Sequence, residues 1–171
     1  MSFLSKLLGT EPDPREALRP LWHRVVEEAR DPRWYADCGV ADTVEGRFDM
    51  ISAVQALVLL RMEHDPELLR RSALLTELFV EDMDGQLRQS GVGDVVVGKH
   101  MGKLMGSMGG RLGAYRSALD EDDVALAEAV TRNVSLNEDG DAHCVALGLR
   151  SLKEQLARTS DADLLAGNIA Q

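Results

Sequence analysis

The sequence predicts an all-α fold, a single compact helical domain of six to eight helices around a central apolar helix. Its 171 residues suffice for one domain with a sizeable core. Helix-forming Leu, Ala, Met, Glu and Arg dominate, whereas aromatic residues make up only 4%. Apolar and polar side chains nowhere alternate convincingly with the period of a strand; DVVV, at 94–97, is the one short run that resembles one.

Aspartate followed by proline recurs along the chain, and this pair is typical of a cap followed by the first helical residue. Asp13 is expected to cap the first helix, with Glu16 completing a capping box. Residues 1–12 are expected to form a flexible or membrane-touching stub, and residues 13–171 the helical domain. We predict helices over residues 14–30, 33–38, 44–64, 66–90, 95–119, 121–134 and 142–158, and a last short helix after 160.

Further helix ends follow from single residues. Caps are expected at Asp42 (with Glu45), Asp94 and Asp120, and Gly91 is placed to end a helix in a left-handed conformation. The run MISAVQALVLL, residues 50–60, is apolar nearly all round, which predicts the central helix. In the helix after it, the spacing points these residues inward: Leu68, Leu75, Leu78, Phe79, Met83 and Leu87.

Net charge and apolar runs exclude several classes of protein. The net charge is −10, which argues against a DNA-binding protein. The N-terminus does not resemble a secretory signal, and the apolar run at 50–60 is too short to cross a bilayer. We therefore expect a cytoplasmic protein. Cys38 and Cys144 are far apart in sequence, and we interpret them as buried, reduced thiols.

A near match to a phosphate-binding loop lies at residues 93–100, which read GDVVVGKH. A true phosphate loop follows a buried strand and ends in Ser or Thr, whereas here a long helix precedes Gly91 and residue 100 is His. No His or Cys spacing suits a metal, and Asp82-x-Asp84-Gly85 lacks the other calcium ligands. The sequence predicts no catalytic residue, metal or cofactor.

The same stretch carries a glycine stripe: Gly98, Gly102, Gly106 and Gly110 recur every four residues along one helix. Four helical glycines cost about 1 kcal/mol each, so close approach of another helix should offset them. That helix belongs either to the same domain or to a partner docked against adaptable Met side chains. The candidate partner-binding residues are Gly98, Lys99, Met101, Gly102, Lys103, Leu104, Met105, Gly106, Met108, Arg111 and Tyr115.

This helix also carries four basic residues and only one acid, its candidate cap Asp94. The basic residues are Lys99, Lys103, Arg111 and Arg116. One interpretation pairs them with acids of neighbouring helices, above all with the acidic run 77–84 of the preceding helix. The other makes them a basic strip that faces anionic lipid or RNA.

Several motifs together resemble the ubiquinol–cytochrome c chaperone family over roughly residues 21–134. They are ARDPRWY, GRFDM, the block DMD–LR–GVGD–VGK, GR-x-x-AY and RNV. Gln89 departs from the pattern, because the family more often has an acid there. We expect structural roles for the motif residues Arg47, Phe48, Asp49, Asp82, Asp84, Arg88, Gly91, Gly93 and Asp94.

The resemblance implies a non-catalytic assembly factor of the cytochrome bc1 complex that binds immature cytochrome b or another subunit. Mitochondrial relatives act near the ribosomal exit with a small partner protein. The chain begins close to the domain without a transit peptide, so it resembles a bacterial member. A peripheral contact with the cytoplasmic face of the inner membrane is a further expectation.

Two alternatives remain open from the sequence. One is a small-ligand or phospholipid-binding helical protein, or a small enzyme, with a site at the GVGDVVVGKH turn formed by Arg88, Asp94 and Lys99. The other is an interaction module in which the glycine stripe forms a homodimer seam. The oligomeric state does not follow from the sequence.

Overall fold

The computed structural model describes residues 13–89 and 94–170, without the side chains of residue 87, residues 94–101 and residues 103–105. The described residues form seven α-helices and two one-turn helical segments, Pro14–Leu18 and Arg33–Asp37, and contain no strand. The all-α prediction is confirmed. The helices are α1 Arg19–Ala29, α2 Val44–Met62, α3 Pro66–Gln89, α4 Asp94–Leu119, α5 Asp123–Asn133, α6 Ala142–Arg158 and α7 Asp161–Leu165.

Helix α2 forms the centre of the domain, as its apolar run predicts. Every residue from Asp49 to Leu59 is buried. Helices α1, α3, α4 and α6 all pack against it. Because most of its circumference is covered, the apolar side chains need no amphipathic pattern.

The inward face predicted for α3 is found where the structure describes it. Leu68, Leu75, Leu78, Phe79 and Met83 are buried, while the side chain of Leu87 lies outside the described residues. The predicted helix end at Gly91 also lies outside them. The candidate strand DVVV is helical, because it forms the first turn of α4.

The N-terminal cap is where the sequence predicts it, but the capping box is not. The Asp13 carboxylate accepts a hydrogen bond from the backbone N–H of Arg15 at 2.9 Å. The Glu16 carboxylate instead accepts one from Nε of Arg19 at 2.7 Å. The predicted single helix 14–30 begins as a 3-10 turn and becomes α-helical at Arg19.

Two other caps fall on neighbouring residues. Thr43 rather than Asp42 caps α2, because its hydroxyl accepts from the N–H of Gly46 at 3.1 Å while Asp42 pairs with Arg47. Asp122 rather than Asp120 caps α5. Both expectations were wrong for the same reason: several Asp or Thr residues stand in a row, and backbone geometry chooses among them.

The interpretation of the cysteines as reduced thiols was wrong in this structure. Cys38 and Cys144 form a disulfide, with their Cα atoms 5.3 Å apart across a sequence separation of 106. The bond joins the turn after Arg33–Asp37 to the first turn of α6. Sequence spacing could not indicate that these turns meet, because their contact is made by the folded chain.

Candidate functional site

Helix α4 carries a bare glycine face. Gly102, Gly106, Gly109 and Gly110 are exposed. A Cβ atom built on any of these four would meet no described atom within 4 Å outside its own helix. The sequence allowed the glycine stripe to be covered either by a helix of the same domain or by a partner. From Gly102 to Gly110, no helix in the described part of the domain covers it. The surroundings of Gly98 lie outside the described residues.

The opposite face of α4 is buried. Successive residues turn by about 100°, so Met108 and Tyr115 lie across the helix from Gly106. Met108 is 4% exposed and Tyr115 is fully buried. The sequence placed both among the partner-binding residues, but here they belong to the core, where a partner reaches them only if α4 moves. Burial also raises the pKa of the Tyr115 hydroxyl, which has no hydrogen-bond partner among the described residues.

A buried ion pair fixes α4 to α2. The guanidinium of Arg111 pairs with the Asp49 carboxylate, and their side chains are only 12% and 10% exposed. The other carboxylate oxygen accepts hydrogen bonds from the backbone N–H of Ser135 at 3.0 Å and from its hydroxyl at 2.7 Å. The guanidinium also lies 5.5 Å from the centre of the Phe48 ring. Arg111 is thus engaged inside the domain rather than offered to lipid headgroups.

The other described basic residue of α4 is also paired internally. Arg116 binds Glu63 at 2.6 Å. Both arginines therefore meet acids in or just after α2, not the acidic run of α3 that the sequence favoured. In that run, Glu81 binds Arg15 at 3.0 Å. The side chains of Lys99 and Lys103 lie outside the described residues.

Each of the motif residues at the start of α2 contacts another residue of the domain. Nε of Arg47 donates to Asp42 at 2.6 Å, on the surface. The ring of Phe48 lies 5.8 Å from that of Phe79 on α3. Gly46 lies so close to the preceding turn that a Cβ would come 1.9 Å from the carbonyl oxygen of Ala41. Gly46, Phe48 and Met50 of the GRFDM segment are therefore packed inside the domain, whereas Arg47 pairs on its surface. The sequence did not indicate these partners.

The second motif block is only partly described. Asp84 accepts a hydrogen bond from Nε of Arg88 at 2.6 Å, one turn along α3. Asp82 is partly buried and lines a groove of about 800 Å³ between α1 and the end of α3, with Trp22, Val26 and Leu78 among its apolar lining. Gly91 and Gly93 lie outside the described residues, as do the side chains of Asp94, Lys99, Met101, Leu104 and Met105. The side chains of the candidate ligand site at the GVGDVVVGKH turn therefore lie outside the described residues, except that of Arg88.

Two features are absent from the part of the chain that the structure describes. No helix in that part of the chain is both long and apolar enough to cross a membrane. No group of three His, Cys, Asp or Glu side chains there is arranged to hold a metal ion.

Comparison with known proteins agrees with the fold and the motifs. A family model described as ubiquinol-cytochrome C chaperone matches residues 36–170. The crystal structure of the Cbp3 homolog from Brucella abortus is 36% identical, with 91% of this chain and 88% of that chain covered and a TM-score of 0.78. No curated protein matches the chain.

Proposed function

Because the chain belongs to the ubiquinol–cytochrome c chaperone family, we propose that it is a non-catalytic chaperone of cytochrome bc1 assembly whose client is newly made cytochrome b. Family membership over residues 36–170 is the observation that carries this proposal. A chaperone for a helical membrane subunit needs a surface that accepts an apolar helix and needs no catalytic groups. The protein would act in the cytoplasm, at the inner-membrane face where cytochrome b is inserted.

Deletion of the gene tests the function as a whole. We expect the deletion strain to lose most of its cytochrome b and bc1 activity, measured by haem spectra and ubiquinol–cytochrome c reductase assays on membranes. Activity should return when the intact gene is supplied on a plasmid. Unchanged cytochrome b and bc1 activity in the deletion strain would contradict the proposal.

The docking surface we propose is the open glycine face of α4. Gly102 and Gly106 are exposed, and a Cβ on either would meet no described atom within 4 Å outside its own helix. Helices approach most closely where side chains are absent, so a transmembrane segment could pack directly on this backbone. Helical spacing places Met101 and Met105 on one side of this face and Lys99 and Lys103 on the other. The methionines would adapt to the client's apolar side chains, and the lysines would face lipid headgroups or the client's cytoplasmic end.

Large side chains placed on this glycine face should weaken client binding without lowering the stability of the protein. We expect the double variant Gly102→Leu/Gly106→Leu to keep its fold, because no described atom lies within 4 Å of either new Cβ. Its helix propensity should even rise. Capture of cytochrome b should fall about tenfold or more, since a loss of 1.4 kcal/mol already gives that factor. The measurement is the yield of tagged cytochrome b co-purified from membranes, beside a thermal melt of the purified variant.

Gly85→Leu is the matched control. It also introduces leucine at a helical glycine whose Cβ would meet no described atom within 4 Å outside its own helix, but on α3. The control should capture cytochrome b like the parent protein. If the double variant captures as much client as the control, the glycine face is not the docking surface. A photoreactive residue at position 105 would then be used to locate the contact by mass spectrometry.

A further inference from the structure

The disulfide lies beside a junction between two segments, residues 38–41 and residues 135–141. Cys38 precedes a left-handed turn at Gly39, whose φ is 72°. Cys144 is the third residue of α6, the helix that begins directly after the junction. The bond therefore crosslinks a turn of the first third of the chain to the start of a late helix.

Backbone hydrogen bonds hold this junction independently of the sulfur atoms. The carbonyl of Cys38 accepts from the N–H of Asp141, and that of Gly39 from the N–H of Asn137, both at 2.9 Å. Val40 forms an isolated bridge with Leu136. The backbones pack so closely that a Cβ on Gly39 would lie 2.7 Å from the Cα of Gly140. Breaking the S–S bond therefore leaves the two cysteines side by side, ready to bond again.

The two cysteine residues differ in exposure. Cys38 is 6% exposed, whereas Cys144 is only partly buried. An incoming thiol thus reaches Cys144 more easily than Cys38.

The junction is connected to helix α4. The carbonyl of Ser135 accepts from the N–H of Ala41 at 2.9 Å, which closes the junction at its far end. The N–H and hydroxyl of Ser135 donate to Asp49, and Asp49 pairs with Arg111 of α4. If the junction opens more often, the hydrogen bonds that Ser135 donates to Asp49 therefore break more often, and the ion pair that fixes α4 becomes weaker.

We propose that Cys38 and Cys144 form a reversible redox site in which Cys144 is the exchanging sulfur, and that its state sets how readily the junction opens. Disulfides in reducing compartments are usually transient or redox-sensing. The cytoplasmic location, and hence glutathione as the reagent, rests on the proposed function.

The exchange needs only glutathione. A glutathione thiolate attacks Sγ of Cys144, the S–S bond breaks, and Sγ of Cys38 leaves as a thiolate that takes a proton from water. A second glutathione thiolate attacks the glutathione sulfur of this mixed disulfide, which releases Cys144 as a thiolate. Two glutathione thiols have become one glutathione disulfide, and two electrons have passed to the protein. Oxidation by glutathione disulfide runs the same steps in reverse.

The first test uses the purified full chain in glutathione buffers of graded composition, with acid quenching, alkylation and mass spectrometry. We expect the bond to open and close reversibly while the circular dichroism stays helical. Tm should fall by about 5–15 °C on reduction, because a crosslink across so long a loop restricts the unfolded chain. A bond that glutathione cannot open without unfolding the protein, or that does not form in oxidising buffer, overturns the proposal.

Paired single variants identify the exchanging sulfur. With glutathione disulfide, Cys38→Ser should gain one glutathione, on Cys144, at least tenfold faster than Cys144→Ser gains one on Cys38. Equal rates, or faster reaction at Cys38, would refute the assignment to Cys144.

Amide hydrogen exchange tests the junction itself. The N–H groups of Asn137 and Asp141 should exchange about tenfold or more faster in the reduced protein and in the double variant Cys38→Ser/Cys144→Ser. Amides of residues 54–58 in α2 report global unfolding, and in the reduced protein the junction amides should exchange at a lower opening free energy than theirs. Equal exchange of the junction amides in both redox states would overturn the link between bond and opening. Because no experiment here involves cytochrome b, a failure leaves the proposed function untouched.

Discussion

Replacing Asp49 with asparagine is expected to lower the free energy of unfolding by about 2–4 kcal/mol. The change removes the charge that the buried guanidinium of Arg111 faces, and both side chains are nearly enclosed, at 10% and 12% exposed. Solvation cannot replace the lost partner there. Urea unfolding followed by circular dichroism measures the effect, and a chain of this size should lose about 4–16 °C in Tm.

An exposed ion pair supplies the control for this variant. Asp42→Asn breaks the exposed pair with Arg47 and should leave Tm nearly unchanged, because solvent screens a pair whose Asp42 and Arg47 side chains are 61% and 57% exposed. The double variant Asp49→Asn/Arg111→Met should regain part of the loss, because it leaves no unpaired buried charge. If Asp49→Asn and Asp42→Asn destabilise the protein equally, burial of the Asp49–Arg111 pair does not make it more important for stability than an exposed pair.

Gly46→Ala is expected to destabilise the protein by about 3 kcal/mol or more, although alanine is the better helix former. The new Cβ would lie 1.9 Å from the carbonyl oxygen of Ala41. That oxygen is backbone, and Ala41 is held in place by its hydrogen bond to Ser135. The clash therefore cannot be relieved by a side-chain rotation and must displace the turn or the first turn of α2.

Gly109→Ala is the matched control, since it makes the same change inside a helix. Gly109 is exposed, and a Cβ there meets no described atom within 4 Å. This variant should gain up to about 1 kcal/mol from helix propensity. The two thermal melts should thus shift in opposite directions. A Gly46→Ala protein as stable as the parent would show that the turn at Ala41 yields without cost.

Helix existence and order could be predicted from local residues. The cap at Asp13 and the Asp65-Pro66 pair predict helix starts because the donors they satisfy lie within three residues. The apolar run of α2 predicts its central position because only a helix covered on most sides can be apolar on most sides. The choice between Asp42 and Thr43, or between Asp120 and Asp122, could not be predicted, because it depends on backbone angles.

The candidate site could be predicted only in outline. The glycine spacing of α4 indicated a face without side chains, and in the described part of the chain no atom outside the helix lies within 4 Å of a Cβ built on Gly102 or Gly106. Burial of Met108 and Tyr115 follows from which side of α4 meets α2, and both sides of this helix are rich in apolar or small residues. The pattern of apolar and small residues along α4 therefore could not predict which side of the helix is buried.

The order of helices, the apolar centre and the family motifs were all readable along the chain, since each depends on residues close together in sequence. Contacts between distant residues were decided only in the folded protein. Arg111 pairs with Asp49, 62 positions away, and not with the acids of α3, which are nearer in sequence. Cys38 met Cys144 across 106 positions because two turns pack closely at their glycines. Such pairings depend on how the helices pack in space, and the spacing of residues along the chain does not determine that packing.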